Sequence, residues 1–206
     1  MNDKSTDQEN GLEPQGSTER RVRADAQRSI DALLQAALTV FATAGVDAPV
    51  REIADKAGVG IGTVYRHFPQ RADLIAAVFR REIDACADAA TILAAEHEPF
   101  DALAAWMQRF AAFVATKRGL ATALHSGNPA FDTLPAYFNQ RLLPALQMLL
   151  EAAVTAGVVR SDVNADDILS AVAGLCSHAD NNPSHARRMV ALFADGLRYG
   201  THTPQP

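Results

Sequence analysis

"REIADKAGVGIGTVYRHFPQR", residues 51–71, decides the fold. It joins a short polar helix, a Gly-Val-Gly corner and a second short helix ending Tyr-Arg-His-Phe. Two helices that cross closely need a small residue at the crossing, and the turn between them needs one that tolerates positive φ. Ala54 supplies the first. Gly58, four residues on, supplies the second, because glycine takes φ > 0 without steric cost. Ile53, Ala57, Val59, Val64 and Phe68 are spaced to pack inward on a third helix. Arg51, Ile61, Gly62, Thr63, Tyr65, Arg66 and His67 are then left to face outward. That face has the chemistry a DNA duplex would need. Arg51 and Arg66 can donate bidentately to a guanine edge or bind phosphate, and Tyr65 and His67 can donate to phosphate oxygens. Thr63 can present a methyl to thymine or a hydroxyl to the backbone, and Gly62 lets a helix approach a groove floor. Arg71 opens the next helix, within reach of a flanking phosphate. A tight αα-corner with a solvated polar face accounts for a bare helix-Gly-helix pattern equally well.

Outward from this segment almost everything reads as helix. Apolar residues at Ile30, Leu33, Leu34, Ala37, Leu38 and Phe41 trace one face of a helix over 28–44, which Gly45 ends. The residue before Pro49 is biased away from helix, so "VDAPV" is a connector leading into helices at 51–57 and 61–67. After Pro69 a long helix begins, with Leu74, Ile75, Val78, Phe79 and Ile83 inward, and Pro99 ends it. An amphipathic helix over 100–119 and a Gly/Pro-rich bend from Gly127 to Pro135 follow. In the next helix, 136–157, Pro144 should kink or split the chain. Two final helices, about 165–179 and 186–200, complete the pattern, the first capped by Asn164 with Asp166 and Asp167 in its first turn. No alternating β-type run occurs, so the class is all-α.

The 206 residues carry a formal net charge of -5, unevenly spread. Residues 20–82 hold ten Arg/Lys against seven Asp/Glu, whereas both flanking segments are acidic. An acidic chain with one basic block fits a localised anion-binding face, and an excess of three is also ordinary fluctuation. No apolar run reaches the ~18 residues a membrane span needs. The polar start, with no apolar signal region, points to a cytoplasmic chain with a disordered tail over 1–24. Cys86 and Cys176 form no CxxC pairing and read as reduced core thiols. The basic stretch 20–28, with Arg20, Arg21, Arg23 and Arg28, reads equally as a DNA-contacting arm or a solvated tail.

Residues 28–83, carried by "ALTVFATAG" and "VREIADKAGVGIGTVYRHFPQRADLIAAVF", closely resemble the DNA-binding domain of the TetR family of bacterial transcriptional regulators. The resemblance implies a three-helix helix-turn-helix headpiece over 25–70, with the motif at about 49–68. It also implies a larger helical effector-binding and dimerisation domain over 71–206, and a homodimer on a palindromic operator. Carried over by position, Arg51, Thr63, Tyr65, Arg66, His67 and Arg71 would contact DNA, with Ile61 and Gly62 leading the recognition helix. Those two residues depart from the polar base-readers common in the family, so direct base readout would rest mainly on Arg51, Thr63 and Arg66.

Beyond residue 84 the residues are less specific. Trp106, Phe110 and Phe113 on one helix, with Phe131, Tyr137 and Phe138 near the bend and His125 and His178 as polar handles, describe a pocket for a hydrophobic or aromatic small molecule. Plain core is the competing explanation for such stripes. Ile168, Val172, Leu175, Met189, Phe193 and Leu197 describe either the family's dimer interface or buried core. His125, His178, Asp180 and His185 match no metal spacing, so no metal or cofactor is expected. Cys176 and His178, two residues apart, face different sides of a helix, and no catalytic motif appears. The sequence therefore points to a ligand-responsive dimeric repressor that is not an enzyme. The alternative is a helical small-molecule-binding or enzymatic protein whose corner is only structural. Repression and activation are not separated by any residue.

Overall fold

The computed structural model describes residues 15–124, 126–177 and 182–198. Among them it holds eight α-helices, one 3-10 turn and no strand. The helices are α1 (Gln15–Ala44), α2 (Val50–Ala57), α3 (Ile61–His67), α4 (Arg71–Glu96), α5 (Pro99–Leu124), α6 (Leu134–Thr155), α7 (Ala165–Ser177) and α8 (Pro183–Gly196).

The headpiece forms as its spacing requires. Leu33, Ala37, Val40 and Phe41 of α1 are buried, as are Ile53 and Ala54 of α2 and Val64 of α3. Gly58 sits in the left-handed region at φ 68, where its N–H bonds to the Asp55 carbonyl while the Val59 N–H reaches the Ala54 carbonyl at 3.0 Å. These two bonds satisfy carbonyls that the end of α2 would otherwise leave unpaired. The tail expected over 1–24 is corrected: residues 15–24 belong to α1, and 1–14 lie outside the described residues. No proline or glycine interrupts 17–44, so an already nucleated helix extends through the Arg- and Ala-rich stretch at little cost.

At 26 residues, or about 39 Å, α4 serves both halves of the molecule. Its buried stripe of Leu74, Ile75, Val78, Phe79, Ile83, Cys86 and Ala90 packs on α1 at one end and on α5 and α6 along its length. The Gln70 backbone N–H donates to the Asp73 carboxylate at 2.9 Å, closing the first turn. Arg71 reaches back to donate to the Val46 carbonyl in the α1–α2 connector.

Pro144 does not split α6, which runs unbroken from Leu134 to Thr155. Both Pro144 and Gln140, whose carbonyl loses its partner, are exposed, so water replaces the missing bond. The Asn164 side chain accepts the Asp167 N–H at 2.8 Å, as its N-cap position implies. Asn182 caps α8 in the same way, accepting the His185 N–H at 3.0 Å, so that helix starts earlier than its apolar pattern does. The core is apolar throughout. Among the described residues no polar or charged side chain is fully buried. Trp106, wholly buried, satisfies its indole N–H on the Cys86 carbonyl at 2.9 Å.

Candidate nucleic-acid interface

With Val64 anchored inside, one face of α3 is left to solvent. Ile61 is 43% exposed and Tyr65 51%, so two large side chains of α3 face water. Gly62, Arg66 and His67 share the exposure, Thr63 is half-buried at its edge, and Arg51 stands exposed at the start of α2. Neither Arg51 nor Arg66 has an ion-pair partner among the described residues, so their guanidinium groups are free for an outside acceptor. A Cβ placed on Gly62 would meet nothing within 4 Å, so the chain itself does not demand glycine there. Arg71 differs from the others. It is half-buried, and its Nη1 donates to the Val46 carbonyl, which ties α4 to the headpiece.

In the larger half a cavity of about 290 Å³ is lined by Phe79 of α4, Leu124 at the end of α5, Phe131 of the 3-10 turn, and Leu134, Pro135, Phe138 and Asn139 of α6. Asn139 is its one polar side chain among the described residues. Behind this wall runs a train of rings. Phe79 lies 5.4 Å from Phe113, Phe113 and Phe110 each lie 6.0 Å from Phe138, and Phe110 stacks on Trp106 at 5.6 Å.

Two family models match the chain. Residues 33–78 match the bacterial regulatory proteins of the tetR family, and residues 98–199 match the C-terminal domain of SbtR-like transcriptional regulators. Among solved structures, a TetR transcriptional regulator from Streptomyces coelicolor is 39% identical, with a TM-score of 0.72 over 82% of this chain and 98% of its own. A TetR transcription regulatory protein from Mycobacterium vanbaalenii is 35% identical, with a TM-score of 0.67 over 86% of this chain and 99% of its own. The chain belongs to the TetR family of bacterial transcriptional regulators. A regulator from Cytophaga hutchinsonii, 15% identical at a TM-score of 0.66 over 82% and 97% of the two chains, shares the fold. No curated protein matches the chain significantly.

The TetR-family assignment makes the α2–α3 corner a DNA-binding helix-turn-helix, and the chain a transcriptional regulator. The residues singled out in its larger half fall into separate places. Phe131 and Phe138 line the cavity, whereas Trp106, Phe110 and Phe113 pack behind it as core. Tyr137 is not part of the cavity lining and donates its hydroxyl to Asp84 of α4. His125, His178 and Asp180 lie outside the described residues. Among the described residues no group of three His, Cys, Asp or Glu could hold a metal ion, and no helix is long and apolar enough to cross a membrane. Of the residues suited to a dimer face, Ile168, Val172 and Leu197 are buried within this chain, while Leu175, Met189 and Phe193 are half-buried. Leu192, part of the apolar series of the last helix, is 64% exposed on α8. Phe79, Leu134 and Asn139 were not apparent as cavity lining, because the cavity depends on how separate helices approach. One cue existed: Arg80, Asp84 and Asp88 recur every four residues as a charged stripe on α4.

Proposed function

We propose that this regulator is a repressor that binds a palindromic operator as a homodimer and is released by a small molecule. The observation that carries the reading is the solvent-facing surface of α3 and Arg51, rich in donors, with Arg51 and Arg66 without ion-pair partners among the described residues, on a corner whose Ile53, Ala54 and Val64 are buried on the other side. Arg51, Thr63 and Arg66 read bases or phosphate, Tyr65 and His67 hold phosphate, and Ile61 and Gly62 bring the helix against the groove floor. Arg71 acts by holding the headpiece on α4. Residues 25–70 do the reading, and 71–206 carry effector binding and dimerisation.

The effector is a small, mainly apolar or aromatic molecule in the cavity lined by α4, α5, the 3-10 turn and α6, with one hydrogen bond to Asn139. A volume of about 290 Å³ lies at the small end for ligand sites. A second copy docks on α7 and α8 through Leu175, Met189, Leu192 and Phe193, which sets two recognition helices ~34–36 Å apart, one turn of DNA. A ligand that favours another headpiece spacing then releases DNA by its differential affinity for the two states. No catalytic role is part of this proposal.

The test is selection of duplexes from a random pool by the purified full-length protein. An enriched inverted repeat, lost with Arg51→Ala or Tyr65→Ala while the fold persists, is the expected result. No enrichment, or enrichment untouched by both substitutions, contradicts the proposal.

A further inference from the structure

A second hollow lies farther along α6. The cavity takes its α6 residues from positions 134–139. A groove begins at Leu143 and follows the helix to Thr155, and the loop into α7 with the first turn of α7 forms its other wall. Its volume is about 650 Å³, well inside the ~300–1,000 Å³ of small-molecule sites. Leu150 and Ala165 are buried at its base. Leu143, Val154 and Val163 are only half-buried, so apolar carbon stays in contact with water along its length.

The charge along this groove is one-sided. Glu151 of α6 and Asp166 of α7 line it, and no basic side chain does so among the described residues. Both carboxylates are exposed, and neither has an ion-pair partner among the described residues. Glu151 accepts one bond from the neutral amide of Gln147 at 2.9 Å. Arg160, beside the lining residue Ser161, is engaged elsewhere: its guanidinium pairs with Asp162 at 2.5 and 2.6 Å. Asp84 and Asp88, by contrast, share Arg141 at 2.7 Å each. The groove thus joins uncovered apolar carbon to negative charge that the fold leaves without a counter-ion. The acidic segment 83–206 adds a longer-range field of the same sign.

We propose that this groove is a second small-molecule site, for an organic cation with an apolar body and an ammonium or amidinium end. An anion would face two uncompensated carboxylates. A neutral apolar molecule would strip water from them with nothing in exchange. A bare metal ion would leave the apolar walls wet, and no group of three metal-ligating side chains is assembled among the described residues. A body lying along Leu143, Leu150, Val154 and Val163, with its charge at the Glu151 and Asp166 rim, answers both features of the lining. The site does not rest on the effector cavity, whose lining carries no charged side chain.

The experiment titrates full-length protein with thioflavin T, a cationic dye with a flat apolar body whose fluorescence rises when it is held rigid. Glu151→Gln and Asp166→Asn, combined, remove both charges and keep side-chain shape at exposed positions. Exposed charge pairs are worth about 1.4- to 5-fold in affinity each, so the combined variant should bind dye about two- to thirtyfold more weakly. Added salt should weaken binding to the unaltered protein and barely move the combined variant. Thr155→Lys, which puts a cation at an exposed position of the lining, should weaken binding as well. Asp47→Asn makes the same kind of charge change on the headpiece and should leave dye affinity unmoved. Absence of saturable dye binding by the unaltered protein overturns the site. So does unchanged affinity in a combined variant that melts as a folded protein, or a loss equalled by Asp47→Asn. A combined variant whose self-association shifts in sedimentation equilibrium without dye gives the groove to a second copy, and overturns the site too. The readout uses no DNA, so this proposal and the DNA-binding one fail separately.

Discussion

Replacing Gly62 by alanine separates folding from DNA binding in one position. Gly62 is the second residue of the seven-residue α3, exposed, in ordinary helical backbone, and an added Cβ meets nothing within 4 Å. Alanine in place of a helical glycine is worth up to ~0.8–1.0 kcal/mol, and somewhat less so near a helix end. For a chain of this size about 1 kcal/mol raises the melting temperature by ~2–4 °C, so a rise of one to a few degrees is expected, read by circular dichroism. DNA affinity should move the other way. If α3 rests on a groove floor, the methyl enters a packed contact, where overfilling costs ~1–3 kcal/mol, or about 5–150-fold in affinity. Fluorescence anisotropy on a labelled selected duplex reads this second effect. Gly58→Ala provides the contrast: its added Cβ also meets open space, but its φ of 68 penalises any side chain by about 1–2 kcal/mol, so it lowers stability. A Gly62→Ala protein that gains stability and keeps full DNA affinity would refute the placement of α3 against the groove.

Arg66→Ala should leave the melting temperature unchanged, since Arg66 has no ion-pair partner among the described residues, but should flatten the salt dependence of duplex binding. Leaving two phosphates per dimer without their arginine would reduce the log–log slope by about 1.8, whereas a slope left intact with relaxed sequence preference would make Arg66 a base reader. Leu192→Glu puts a charge at the most exposed large apolar side chain among the described residues, and should shift the protein toward monomer in sedimentation equilibrium; an unaltered dimer would move the interface off that face of α8. Burial pushes the Cys86 thiol up to about 12, with the Arg109 charge opposing. Cys86 should therefore resist thiol reagents at pH 8 until the chain is unfolded. Because the folded value lies above the unfolded one, its contribution to stability is complete below about pH 9 and is lost as pH rises through 12. Immediate labelling of Cys86 in the native protein would show that α4 and α5 separate there.

The corner was legible because its constraints are local. Ala54, Gly58 and the inward Ile53 and Val64 lie within a short stretch of chain, and each does what backbone sterics or apolar spacing demands. The cavity was not, because Phe79 and Phe138 belong to helices far apart in the chain, and only tertiary packing sets the gap between them. Trp106, Phe110 and Phe113 show why periodicity cannot assign depth. A stripe at helical spacing looks the same whether a neighbouring helix covers it or a cavity does, and here α4 and α6 cover it. The same limit explains Ile168 and Val172 of α7, which face inward, while Leu192 of α8 remains exposed. Pro144 misleads for a different reason: a missing backbone bond costs little where water can replace it. Arg71, positioned by sequence as a phosphate contact, is held by a carbonyl that only the folded α1–α2 connector brings near.

The most direct measurement is a footprint of the purified protein on the DNA upstream of its own gene, at two salt concentrations. A protected inverted repeat with half-sites one helical turn apart, whose affinity falls steeply as salt rises, is the predicted result. Protection at a single half-site, or protection indifferent to salt, would contradict a dimer gripping phosphates through α3.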